Sequence, residues 1–268
     1  MSKRMPVAFV SHGAPDALLK APDAVTCWRE ISRQVTRPTA ILVVSAHWEA
    51  RQPRASLSGT PETIHDFAGF QPELFRMQYP APGAPALAER AVSLLSAAGI
   101  VADLHPNRGL DHGAWVPLSA MFPQADIPVT QLSLARNASG ATHFAMGQAL
   151  APLREEGVLI IASGSITHNL GWLNRHAQGD EAPLPQAQIF TNWVAEQLAA
   201  KDVSTLLAYR NATYGAESHP SKEHFMPLFV ALGAACEDTP LRYRPPFAYG
   251  GLAMDAYLWR ETAAASLN

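Results

Sequence analysis

Four short apolar runs rich in β-branched residues, at 7–10, 41–44, 128–132 and 158–161, read as strands buried on both faces. A fifth strand is expected over 252–258. Between these runs the apolar positions recur at helical spacing. The clearest case is 85–98, where Leu87, Ala91, Leu94 and Leu95 share one face and Gly99 supplies the stop. Helices are also expected over 16–35, 139–154, 184–200 and 221–235. The last carries Phe225, Leu228, Phe229 and Leu232 as its apolar stripe, with Pro227 near the first turn, where proline is tolerated. Strand and helix alternate, which predicts an α/β fold with a mixed, largely parallel central sheet flanked by helices.

The stretch 51–85 breaks this rhythm. Its prolines and glycines, together with Phe67, Phe70, Phe75 and Tyr79, suggest a long structured loop of the kind that usually serves a site. No internal repeat, low-complexity tract or linker divides the chain, so 1–268 reads as one catalytic domain. Composition agrees, since 48% hydrophobic against 16% charged residues provides for a large interior. A net charge of −3 offers no field for phosphate backbones, so nucleic acid is not an expected partner. No run of about eighteen apolar residues is present to span a membrane. Cys27 and Cys236, the only cysteines, read as small buried hydrophobes. They form neither a disulfide framework nor a cysteine zinc site, and a reducing cytoplasm is the expected location.

The ten histidines carry the candidate chemistry. His12 and His47 each follow an expected strand closely, and ligands gather at the carboxyl ends of strands in open α/β sheets. Two imidazoles delivered there by separate strands can converge. The strand through Ile160 and Ile161 runs into Ser163-Gly164-Ser165 and then presents His168. Gly164 allows an unusual backbone angle or the close approach of a ligand. His224 falls in the first turn expected for the helix 221–235, where the helix terminus disfavours a charged imidazole and keeps it able to bind a metal. His219 could be a ligand, a hydrogen-bond partner of a ligand, or a loop residue. Asp111-His112 puts an imidazole beside a carboxylate, where it could polarise bound oxygen or orient a substrate. His65 is as readily exposed, and His105, His143 and His176 read as structural. The pattern implies one redox-active or Lewis-acid metal held by several histidines.

No His-Glu-x-x-His pair, Walker loop, dinucleotide glycine fingerprint or Gly-x-Ser-x-Gly elbow is present. A serine hydrolase built on Ser165 and His168 would leave His12, His47 and His224 unexplained. A zinc-dependent hydrolase would use the same imidazoles, and a non-catalytic metal- or phosphopeptide-binding protein of the same fold would keep the pocket without the reaction.

Four segments resemble the extradiol DOPA dioxygenases of bacteria and plants, within the class III extradiol ring-cleavage superfamily. They are Ser11-His12-Gly13-Ala14-Pro15, Ser45-Ala46-His47-Trp48-Glu49, the stretch 110–118 around Asp111-His112-Gly113, and His219-Pro220-Ser221-Lys222-Glu223-His224-Phe225. Asp66-Phe67-Ala68-Gly69-Phe70 and Tyr79-Pro80-Ala81-Pro82-Gly83 look like the family too, so the resemblance covers nearly the whole chain. It implies a class III extradiol dioxygenase-like fold and the 4,5-cleavage of a catechol such as DOPA, with O2, to a semialdehyde. By that resemblance His12, His47 and His224 bind the metal, His168 is the acid/base residue beside it, and His112 lines the oxygen or substrate pocket. His219, Glu49, Glu223, Ser165 and Lys222 are candidates for supporting those ligands or touching substrate, and Lys222, Arg76 and Arg108 for a substrate carboxylate. The wider superfamily holds ferrous iron with two histidines and a carboxylate. Here the third position is His224, with Glu223 adjacent. Such a three-histidine set suits Zn(II) as well as the catalytic Fe(II).

Overall fold

A computed structural model describes residues 4–174 and 182–261. The strands among these residues are β1 (Val7–Ser11), β2 (Ala40–Ala50), β3 (Arg54–Ser56), β4 (Asp103–His105), β5 (Val129–Ala135), β6 (Val158–Gly164), β7 (Thr239–Tyr243) and β8 (Ala256–Arg260). They form one sheet in the order β4-β3-β5-β2-β6-β1-β8-β7. The helices are α1 (Ala17–Lys20), α2 (Pro22–Arg33), α3 (Pro85–Ala97), α4 (His112–Met121), α5 (Gly140–Leu150), α6 (Pro185–Ala200), α7 (Val203–Leu207), α8 (Gly215–Ser218) and α9 (Met226–Ala235).

The inner strands β5, β2, β6 and β1 run parallel. Every residue of β1, β5 and β6 is buried, as continuous apolar runs covered on both faces require. One face packs against α3, α5, α6 and α9 through Leu87, Met146, Phe190 and Phe229. The other packs against α2 and α4 through Trp28 and Trp115. Antiparallel β8 pairs with β1 and carries β7, while β3 pairs antiparallel with β5, so the sheet is mixed and largely parallel.

Several boundaries depart from the sequence reading. β2 continues to Ala50, and its pairing with β5 shifts register between Val44 and Glu49. The strand thus passes its expected end through an irregularity and carries His47 within it, not after it. The fifth strand begins at Ala256 and ends at Arg260. β3, β4 and β7 lie at or beside the sheet edges and are short or half exposed, so no apolar run marks them. The helix expected over 16–35 is broken into α1 and α2 at Pro22, which opens α2 in the position where a missing N–H costs nothing. The helix expected from Ser221 starts only at Met226, because the Pro227 ring would collide with the carbonyl four residues back if the helix continued upstream. His224 therefore precedes the helix. Gly99 does end α3, at φ +77°. Cys27 is buried, but Cys236 is exposed, since it lies past the end of α9 at φ +56°, where the chain leaves the core.

The stretch 51–85 is tied down by β3, by a 3-10 turn at Leu74–Arg76 and by bridges from Thr63 to Leu110 and Gly83 to Val129. No helix among the described residues is long and apolar enough to cross a membrane. His176 lies outside the described residues.

Candidate metal centre

Three adjacent parallel strands and two helix starts deliver five imidazoles to one place. His12 follows β1, His47 sits near the end of β2, His168 follows β6, His112 opens α4 and His224 precedes α9. Ring centroids are 4.8 Å apart for His12 and His47, 4.8 Å for His47 and His224, and 3.9 Å for His47 and His112. His168 lies flat on His224, 3.4 Å away and 6° from parallel. His12, His47 and His112 offer ring nitrogens within 4.8 Å of one another, a group able to hold a metal ion. His168, Glu223 and His224 form a second such group.

Hydrogen bonds on the far side of the rings fix where the protons are. Ser163 gives its hydroxyl proton to the Gly113 carbonyl, so it can only accept from His12 Nδ1, 2.9 Å away. His224 Nδ1 donates to Glu223 Oε1 at 3.0 Å. Both rings therefore keep a lone pair on Nε2. These two Nε2 atoms approach His47 Nε2 at 3.0 Å and 3.3 Å. His47 Nε2 can offer one proton at most, so at least one of the two contacts has no N–H directed into it and is not satisfied by a hydrogen bond. A bound cation removes that conflict, and imidazoles whose outer N–H is held by a carboxylate or hydroxyl are the donors a metal site uses. The residues present fit a metal.

Asp66, carried on the long loop, is marked in the sequence only as the first residue of the family-like segment Asp66-Phe67-Ala68-Gly69-Phe70, with no role assigned to it. Its Oδ1 accepts both the backbone N–H of His112, at 3.0 Å, and His112 Nδ1, at 2.9 Å. Its Oδ2 is 3.6 Å from His47 Nδ1. Burial alone would raise the Asp66 carboxyl, but the hydrogen bonds and charge of His112, with His47 beside it, bring it down to about 2. Beneath the cluster, buried Asp111 accepts from the Ser45 hydroxyl at 2.7 Å, from Gln131 at 2.9 Å and from Arg108 at 3.1 Å, linking β2, β5 and α4.

The other candidates have identifiable occupations. Ser165 donates to the Thr167 carbonyl at 2.7 Å. His219 is fully buried against Tyr209 and Phe225, and its Nε2 bonds the Ile166 carbonyl at 2.9 Å. Lys222 donates to the Ala138 carbonyl at 2.8 Å, and Glu223 holds both Ser221 and His224. Glu49 borders a separate cavity with Trp48 and Arg136, and it is its backbone carbonyl that accepts from Arg136. Arg108 is engaged by Asp111 and lies over the Trp48 ring, whereas Arg76 is exposed. Trp115 is core, with its N–H on the Ile64 carbonyl, and Phe67 is the loop aromatic that reaches His112, at 5.8 Å edge-on. His143 is structural, bonded to Ser139 and to the Ala135 N–H.

Burial first, and then the neighbouring imidazoles, push His12 and His224 well below the ordinary 6.5. Burial also lowers His168. Burial and His112 bring His47 to about 4, against the pull of Asp111 and Asp66. Burial takes His143 to about 4 and His219 to about 3. In the unfolded chain these groups return to about 6.5, so between the two values the unfolded state binds more protons. Metal-free protein should hold its full stability above about pH 6.5 and lose it as pH falls toward 4. A melting temperature that stays flat or rises from pH 7 down to pH 4.5 would contradict this.

Residues 7–251 match the family model described as the catalytic LigB subunit of aromatic ring-opening dioxygenase. The chain is 42% identical over 236 residues to an Escherichia coli (strain K12) protein named 4,5-DOPA dioxygenase extradiol, covering 87% of this chain and 86% of that protein. It is 43% identical over 239 residues to the Beta vulgaris protein of the same name, covering 86% and 87% respectively. The crystal structure of an uncharacterized Escherichia coli K12 protein superposes with a TM-score of 0.78 at 35% identity, covering 96% of this chain and all of that one. With its imidazole cluster at the carboxyl ends of the parallel strands, the chain belongs to the family of the catalytic LigB subunit of aromatic ring-opening dioxygenases and is an extradiol ring-opening enzyme.

Proposed function

We propose that this enzyme cleaves a catechol bearing an amino-acid side chain, such as DOPA, at the 4,5 position with O2, using Fe(II) held by His12, His47 and His224. The observation that carries the metal assignment is the approach of the His12 and His224 Nε2 lone pairs to His47 Nε2. The substrate rests on the names of relatives 42% and 43% identical. Ferrous iron supplies electron transfer between a catechol and dioxygen, which do not react readily unaided, and Zn(II) can occupy the same donors without that capacity.

The protein's own groups move the protons. Burial keeps His168 neutral at pH 7, so it can accept a proton from a catechol hydroxyl. The same imidazolium then returns the proton as the ring opens. His112, whose Nδ1–H is committed to Asp66, has Nε2 left to accept a hydrogen bond from a substrate hydroxyl. Both oxygen atoms end in the product, one in a carboxylate and one in an aldehyde, and no other oxidant is required.

The test is to load protein anaerobically with ferrous iron, add DOPA in air, and record oxygen uptake and visible absorbance. One O2 consumed per DOPA with a new yellow product is expected. Absence of uptake with DOPA and with simpler catechols would reject the reading, and hydrolytic activity with zinc would replace it. Asp66→Asn should retain metal and lower kcat by about 10–100-fold, because the His112 proton would no longer be fixed on Nδ1. Unchanged turnover would remove Asp66 from the catalytic arrangement.

A further inference from the structure

A second pocket, of about 490 Å³, opens at the end of β2 where β3, β4 and β5 meet. Trp48 borders it while the preceding His47 belongs to the imidazole cluster, so the two sites share a strand. Three arginines line it, namely Arg51 in the β2–β3 turn, Arg54 at the start of β3 and Arg136 just past β5. None of the three makes an ion pair among the described residues, although Glu49 and Asp103 border the same space. Arg54 Nε is buried with no hydrogen-bond partner, a costly state for a charged donor. Arg136 is held at the rim by the Glu49 carbonyl at 3.3 Å, and its backbone N–H bonds the Ala50 carbonyl at 2.7 Å. Behind them Arg108 lies 5.3 Å from the Trp48 ring centre, and His105 packs edge-on against the same ring.

We propose that this pocket is a binding site for a small phosphate-bearing anion, separate from the metal centre. Guanidinium forks pair with phosphate oxygens through two parallel N–H bonds, and three forks without an ion pair around one cavity suit a dianion better than a monocarboxylate. The volume exceeds that of free phosphate. Glu49 and Asp103 can accept hydrogen bonds from hydroxyl groups on the body of such a ligand, which favours a phosphorylated polyol over a hydrophobic phosphate ester. Burial first and then the charges of the same Arg54 and of Arg108 lower His105 at the pocket wall. Through Trp48 the site adjoins His47, so occupancy can be felt at the metal centre without contact with it.

The experiment is calorimetric titration of metal-loaded protein with inorganic phosphate and, separately, with glucose 6-phosphate, in chloride at constant ionic strength. Phosphate can also ligate a metal, so the comparison is with Arg54→Gln and with the exposed-rim variant Arg136→Gln, both of which leave the imidazoles intact. Saturable binding in the millimolar range or tighter, weakened about tenfold or more in either variant and stronger for the sugar phosphate, is expected. Binding that both variants retain at full strength, or no saturable binding of either probe, overturns the proposal. Because the site shares no side chain with the metal centre, a protein that cleaves no catechol would leave this result standing.

Discussion

His168→Ala is expected to keep its metal and lose turnover by about 10²–10⁴-fold, whereas His12→Ala, His47→Ala or His224→Ala is expected to lose the metal itself. The contrast follows from the protons. His12 and His224 have Nδ1 committed to Ser163 and Glu223, which leaves Nε2 for the pocket. His168 stacks face to face on His224, so its ring lies beside the trio and not within it. The measurements are metal content after dialysis and the rate of O2 uptake on iron-loaded protein. Equal metal loss in all four variants would sink the division of roles, and so would full activity in His168→Ala. The carboxylate behind His224 gives a graded check, since Glu223→Gln should weaken metal binding by about 10–100-fold without abolishing it.

Gly164→Ala should damage the site without touching any imidazole. A Cβ at this position would lie 2.2 Å from the His224 carbonyl oxygen and 3.2 Å from the Pro227 ring. That carbonyl accepts from the Ser165 N–H at 2.8 Å, and the Gly164 carbonyl accepts from the His12 N–H at 3.1 Å, so Gly164 lies between two of the proposed ligands. The backbone cannot give without moving His224. We expect a loss of about 1–3 kcal/mol in stability from the clash and a clear fall in metal affinity, read by thermal unfolding and by competition with a chelator. A variant with native stability and native metal affinity would show that β6 and the His224 segment are not locked together. In sequence Gly164 allows an unusual backbone angle or the close approach of a ligand; in the structure it is the main chain of His224 that approaches it.

Much of the fold was legible because burial on both faces leaves a plain mark. The four continuous β-branched runs became β1, β2, β5 and β6, the parallel centre of the sheet, and helical spacing with Gly99 located α3. The edges were not legible, because β3, β4 and β7 bury too little for selection of apolar residues at regular spacing. Position relative to strand ends picked out His12, His47 and His168, the expected first turn of the helix 221–235 picked out His224, Asp111 beside His112 gave that residue a weaker mark, and the motif resemblance assigned the roles.

The sequence alone determined which side chains could act and the end of the sheet at which they would gather, since strand direction and the step from strand to loop are local properties of the chain. Only the tertiary structure decided how they face one another. The order β2-β6-β1 brings His12, His47 and His168 onto neighbouring strands, and that order is set by packing over long separations in the chain. The proton on each ring depends on partners 151, 46 and 1 residues away, in Ser163 for His12, Asp66 for His112 and Glu223 for His224. Glu223 is at least adjacent to His224 in sequence, but no local pattern encodes the other two pairings, because a hydrogen bond needs an atom at 3 Å in space and has no preferred spacing in sequence.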